Sequence, residues 1–321
     1  MADRAPLRAT FFALQKRDRT GVLTRAGLTF GVASIALGAI FLAALFAIMG
    51  SAIFPANPED LQPPNLRAVA GVLLLEFVFF FALAVLTAAF ESACLRWMIR
   101  GETGGPLGLH FGADMWRVYG TYWFWLIYLI VASIVSIIVM TLVGFGAGLA
   151  LGALGAGLLG GLTLCLSFFV TLFYLNVRLA PAAATSICIG KFEPLKAWRV
   201  SSGRFWALFG AFLLLLLLYV VGYAVMMGSQ VALLYAPYLD EIDWSAAQSD
   251  PQIFAQSYNR VMIEAFTGML SSPVEIAEYL ALVAAGMVFI VFVYLLSYGV
   301  NARAVIAALE EGKIEPPAPV S

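Results

Sequence analysis

The segment Arg178–Gly210, RLAPAAATSICIGKFEPLKAWRVSSGRFWALFG, lies between one apolar run that closes at Arg178 and another that opens at Leu208. Its five cations, Arg178, Lys191, Lys196, Arg199 and Arg204, need water or lipid headgroups around them, which places the segment at a membrane surface. Pro194 suits the first turn of a helix, where its missing N–H costs nothing. Leu195, Trp198 and Phe205 then fall near one face, with Lys196 and Arg199 on another. A short helix with that division belongs in the interface plane and not in the bilayer core.

Pieces of this segment recur. Asn176-Val177-Arg178 is echoed by Asn301-Ala302-Arg303, and Gly190-Lys191-Phe192-Glu193-Pro194 by Gly312-Lys313-Ile314-Glu315-Pro316. Arg204 to Gly210 matches Arg25 to Gly31, and Trp206 to Gly210 matches Trp116 to Gly120. Gly101-Glu102 with Pro106 makes a weaker copy of the loop. The echoes predict an internal repeat of three hairpins, spans two with three, four with five, and six with one. Such hairpins share one orientation, as in parallel-repeat transporters, and each puts a surface helix on the same side.

Of 321 residues, 62% are hydrophobic and 12% charged, with a mean hydropathy of +0.94. A soluble domain carries about twice that charged fraction, so the expected class is an all-α polytopic membrane protein. Six spans are expected, at 27–50, 68–90, 119–143, 149–177, 205–235 and 273–300, within a membrane domain covering 27–302. A basic segment 1–26 precedes it and a tail 303–321 follows. The apolar run after the basic lead is longer than the 7 to 15 residues of a signal peptide, which favours a retained first helix over a cleaved leader. Phe11, Phe12 and Leu14 beside Lys16 and Arg17 suit another surface helix. The Pro-rich stretch 51–66, which holds Glu59 and Asp60, reads as an irregular connection.

Tyr119, Tyr122, Trp123, Trp125 and Tyr128 read as an interface belt. The acidic loop 236–272 holds Asp240, Glu241, Asp243, Asp250 and Glu264 against Arg260 alone. Within it, Asp250-Pro251 reads as a helix start, Ser272-Pro273-Val274-Glu275 as a capping box, and Ile253, Phe254, Val261, Met262 and Phe266 as an outer surface. Six spans put 16 of the 18 Lys and Arg residues on one side. By the positive-inside rule that side, with both termini, is the cytoplasm of a cell inner membrane. A five-span alternative merges spans three and four and puts Arg178–Arg204 outside.

Gly144–Gly161 separates spans three and four and holds eight glycines. Gly155-x-Gly157-x-x-Gly160 lacks the strand and βαβ setting of a dinucleotide site. Small-xxx-small helix packing through Gly144, Gly148 and Gly152 is expected instead. Cys94, Cys165 and Cys188 have no CxxC spacing and read as free thiols.

Common enzyme constellations are missing from the sequence. One histidine, His110, makes no metal cluster, and no nucleophile elbow, zinc-binding helix or phosphate loop occurs. No cofactor, metal or nucleic-acid partner is expected. Glu76 lies about 13 Å along the second span from Arg67, near the middle of a ~30 Å core. An intramembrane carboxyl is a functional candidate; the plainer alternative is a protonated carboxyl bonded to a neighbouring helix. The basic surface residues Arg178, Lys191, Lys196, Arg199 and Arg204, with Trp198, are candidates for binding anionic lipid or a partner membrane protein. Topology alone also accounts for cations there.

The combination of Arg178-x-x-Pro181, a Gly-Lys-x-x-Pro loop, the run Lys196-Ala-Trp-Arg-Val-Ser-Ser-Gly-Arg-Phe-Trp206 and the following polyleucine helix resembles the membrane domain of glycerophosphoryl diester phosphodiesterases and related bacterial membrane proteins. The motifs cover about 40 residues. In that family hydrolysis belongs to a separate soluble barrel with histidine and acidic metal ligands, for which this chain has neither length nor histidines. The resemblance thus implies a membrane module and not a phosphodiesterase. The leading expectation is a non-enzymatic bundle. The alternatives are a small transporter or channel using Glu76, and a membrane-embedded lipid enzyme using Glu76, Glu91 or Asp114.

Overall fold

The computed structural model describes residues 12–15, 21–53, 66–103 and 105–315. Arg4, Arg8, Lys16, Arg17 and Arg19, the connection 54–65 and the tail 316–321 lie outside them. Among the described residues all regular structure is helical. In chain order the helices are α1 Phe12–Gln15, α2 Val22–Ile53, α3 Leu66–Arg100, α4 Ala113–Phe169, α5 Asn176–Leu179, α6 Ala182–Ile189, α7 Ala197–Ser201, α8 Phe205–Gln230, α9 Ala246–Ser249, α10 Pro251–Ser271 and α11 Pro273–Glu310. A π-helical turn, Val170–Leu175, joins α4 to α5, and another, Val231–Tyr235, extends α8.

Five helices, α2, α3, α4, α8 and α11, are long and apolar enough to cross a membrane. At 57 residues α4 would measure about 85 Å if straight, more than twice a ~30 Å hydrocarbon core. It is not straight. Gly152 breaks it at φ 71°, ψ −167°, a backbone that side-chain-bearing residues rarely adopt. A Cβ on Gly148 would lie 3.3 Å from Ala156 Cβ, and one on Gly144 would lie 3.8 Å from Gly160 Cα. These pairs stand at equal distances either side of Gly152, so the arms run antiparallel in contact. Gly144 and Gly148 thus lie against the returning arm, whereas Gly152, where a Cβ would meet nothing within 4 Å, makes the turn itself and is not the packing contact expected of it.

The chain forms two compact units. One comprises 1–30, 84–215 and 294–321; the other comprises 31–83 and 216–293. In the second unit glycines again permit close helix packing. Gly222 meets the Phe289 ring, Gly286 meets Met226, and Gly71 meets Ile48. Phe41 and Phe79 add a ring contact at 4.5 Å. A small folded cap completes this unit. Asp250 Oδ1 accepts from Gln252 N and Ile253 N at 3.0 and 3.2 Å, capping α10 as expected. Ser272 Oγ accepts from Val274 N at 3.3 Å at the start of α11. Ile253 is 49% exposed, but Val261 is fully buried. That part of the expected outer surface is instead core, because α10 packs back on 231–241.

The other unit has its core at the C-terminal ends of α3, α6 and α11. Phe90, Leu95 and Met98 of α3, Ile187 of α6, and Val300 and Val305 of α11 are fully buried. The expected span 68–90 thus ends ten residues before its helix does. Tertiary packing carries α3 past the apolar run, and the same holds for α11 beyond 300. Each of the three helices terminates at or near a glycine of positive φ: Gly101 (72°), Gly190 (73°) and Gly312 (67°). Cys94, Cys165 and Cys188 are free thiols.

Three loop contacts link the elements of this unit in a cycle. Phe192, after α6, packs on Gly120 of α4, where a Cβ would lie 3.0 Å from its ring. Lys313, after α11, donates to Ser202 O at 2.8 Å, and Glu311 pairs with Arg204 at the start of α8. Leu107, after α3, accepts from Thr29 Oγ1 of α2 at 2.7 Å. In each case the loop closing one helical turnaround holds the outgoing helix of the next.

Candidate functional site

Five of the candidate surface cations occupy the α5–α8 turnaround, and the structure assigns them different neighbours. Arg178 is the internal clasp. Its guanidinium lies 5.4 Å from the Tyr174 ring, 5.3 Å from Trp198 and 5.7 Å from Phe205. It also donates to Ser201 O at 3.2 Å and to Tyr174 Oη at 3.4 Å. A planar cation can meet three rings and a carbonyl together, which a compact ammonium cannot. Arg303, the counterpart in the sequence echo, lies 5.8 Å over the Phe12 ring and 3.6 Å from Glu310 Oε1, while Ala13 of α1 seats on Gly299.

Arg204 pairs with Glu311 and donates to Val200 O at 3.1 Å. Hydrogen bonding from Lys313, with Arg204 nearby, holds the Glu311 carboxyl below the usual range despite some desolvation. Lys196 pairs with Glu193 one turn back. Lys191 and Arg199 are exposed and have no ion-pair partner among the described residues. Around them the segment shows Phe192 (50% exposed), Leu195 (68%), Trp198 (41%) and Trp206 (77%). Unpaired cations and exposed rings on one short segment form a surface suited to a headgroup layer.

The α3–α4 turnaround makes a second charged cluster, centred on Asp114. Asp114, 6% exposed at its side chain, receives Arg117 on Oδ1 and Arg100 on Oδ2 at 3.1 Å, with Arg96 at 3.5 Å. Arg100 also donates to Ile187 O, tying α3 to α6. Arg96 pairs with Glu102 and stands 2.6 Å from Nε2 and 3.0 Å from Nδ1 of His110. Burial, then the Arg96 charge, pushes the His110 pKa below its ordinary value, against the pull of Asp114 and Glu102.

Glu91 is buried, and the Tyr122 hydroxyl donates to its Oε2 at 2.7 Å. Glu91 and Asp114 are thus both buried carboxylates with engaged oxygens. Glu76 sits apart in the other unit, half-buried, with no hydrogen-bond or ion-pair partner among the described residues. No protein-family model, curated protein or solved structure matches this chain.

Proposed function

We propose that this chain is a six-span protein of a cell inner membrane, with both termini cytoplasmic, that engages anionic lipid headgroups through Lys191, Arg199 and the rings beside them. The observation that carries the reading is the contrast among the cations. Arg178, Lys196 and Arg204 are committed to partners, whereas Lys191 and Arg199 stand exposed among Phe192, Leu195, Trp198 and Trp206. Such a pair beside an anionic leaflet contributes about 1 kcal/mol per cation, and exposed Trp residues favour headgroup depth.

The reversal at Gly152 supports counting α4 as two spans, and the 16-to-2 charge division follows from that count. Arg178 over Trp198 and Arg303 over Phe12, the three terminating glycines and the cycle of loop contacts support a three-hairpin repeat. The resemblance of the Arg178–Trp206 motifs to a phosphodiesterase membrane domain is consistent with this reading of the chain as a membrane module.

Native mass spectrometry of detergent-solubilised protein tests the lipid reading. Replacing Lys191 and Arg199 together by Gln is expected to strip copurifying phosphatidylglycerol or cardiolipin, while Arg178→Met leaves it bound. Unchanged lipid occupancy in the double variant contradicts the proposal. A second reading, a transporter or channel, draws on Glu76, whose carboxyl has no partner on a neighbouring helix among the described residues. Glu76→Gln would then abolish transport at unchanged stability, and a fully active variant excludes it.

A further inference from the structure

We propose that the loop 105–112 is an acid-sensitive latch: neutral His110 fastens it to the end of α3, and protonation of His110 releases the start of α2. The loop touches both helices. On the α3 side, His110 N donates to Ala89 O at 3.3 Å, Ser92 Oγ donates to His110 O at 3.2 Å, and the imidazole meets Arg96. On the α2 side, Thr29 Oγ1 donates to Leu107 O at 2.7 Å. A Cβ on Gly108 would lie only 2.9 Å from Ala26 N, so the two backbones are in direct contact. Leu107 holds φ 60°, a left-handed backbone unusual for leucine that the contacts at both ends of the loop maintain.

The imidazole–Arg96 contact is the part of this fastening that changes with His110 protonation. A neutral imidazole has one ring nitrogen able to accept from the Arg96 guanidinium, whereas imidazolium has none and adds a second cation. Arginine cannot relieve the conflict by losing its proton. The charged groups around His110 are Arg96 and Arg100 of α3, Glu102 of the loop and Asp114 of α4. Asp114 already accepts from Arg100 and Arg117, and Glu102 from Arg96, so both carboxylates are shared with arginines before any imidazolium forms. Gly112 leaves room for the ring, since a Cβ there would approach Nε2 to 2.9 Å.

His110 is the only histidine in the chain, so ¹⁵N-histidine NMR of the full-length protein in nanodiscs reports it alone. The expected spectrum at pH 7 is a neutral imidazole, with a titration midpoint below the ordinary 6.5. Hydrogen exchange of Val22–Phe30, corrected for intrinsic pH dependence, should rise at least tenfold in step with that titration. His110→Gln, which keeps an acceptor and cannot charge, should hold its protection through the same range. A midpoint at or above 6.5, exchange that ignores the titration, or acid-induced loss of protection in His110→Gln would each overturn the latch.

Discussion

The turnarounds after α3 and after α5 face the same problem, several arginines beside a packed helical core, and meet it with different chemistry. The first gathers Arg96, Arg100 and Arg117 on Asp114 and Glu102. The second spreads Arg178 across three aromatic faces, gives Arg204 to Glu311, and leaves Lys191 and Arg199 open. The first cluster is closed electrostatically. The second keeps free charge beside exposed rings, and the proposed lipid contact rests on that difference.

The hardest way to break the contrast is to remove the acceptor of the closed cluster. Asp114→Ala leaves three guanidinium groups together with little water, so a loss of about 3 kcal/mol or more is expected from thermal unfolding in detergent. Adding Arg117→Met should recover part of it; a single variant as stable as wild type would contradict the network.

Arg178→Lys keeps the charge but loses planarity and stacking. A smaller destabilisation of about 1–2 kcal/mol is expected, with lipid content unchanged. A stable lysine variant that sheds lipid would reverse the roles assigned to Arg178 and Arg199.

Acid should weaken the first turnaround selectively. The folded His110 value lies below that of the unfolded chain, about 6.5, so the unfolded state takes up protons first. Its contribution to stability is complete above that value and is lost as pH falls through the folded value. A melting-temperature profile between pH 7 and 5 should slope downward, and His110→Gln should flatten part of the slope.

The smallest expected effect on stability is at the open surface. Replacing Lys191 and Arg199 by Gln should change unfolding free energy by less than about 0.5 kcal/mol. Stability loss comparable to Asp114→Ala would mean that these cations hold the fold together.

Much of the scaffold is legible in residue order because its signals are local. Gly144, Gly148 and Gly152 repeat at helical spacing, and Asp250-Pro251 announces a helix start that the backbone bonds reproduce. The echo of Asn176-Val177-Arg178 in Asn301-Ala302-Arg303 is local too, although the aromatic partners of the two arginines, Trp198 and Phe12, cannot be read from it. The closed cluster is not legible in that way. Arg100–Asp114 and Arg96–His110 each join residues 14 apart across an irregular loop, and Tyr122–Glu91 spans 31. No helical periodicity relates such positions. The extent of α3 and α11 beyond their apolar runs is illegible for a related reason: Glu91, Ser92 and Asn301 there are polar but sit inside tertiary packing.

Every side assignment rests on the reversal at Gly152, because it decides whether Arg178–Arg204 shares a face with the termini. The direct measurement is labelling by a membrane-impermeant maleimide, in intact cells, of single cysteines at Ser202 and Ser249 after Cys94, Cys165 and Cys188 are changed to Ala. Both serines are exposed. Six spans predict that Ser249→Cys labels from outside while Ser202→Cys reacts only after permeabilisation; labelling of Ser202→Cys in intact cells with protection of Ser249→Cys would contradict the account.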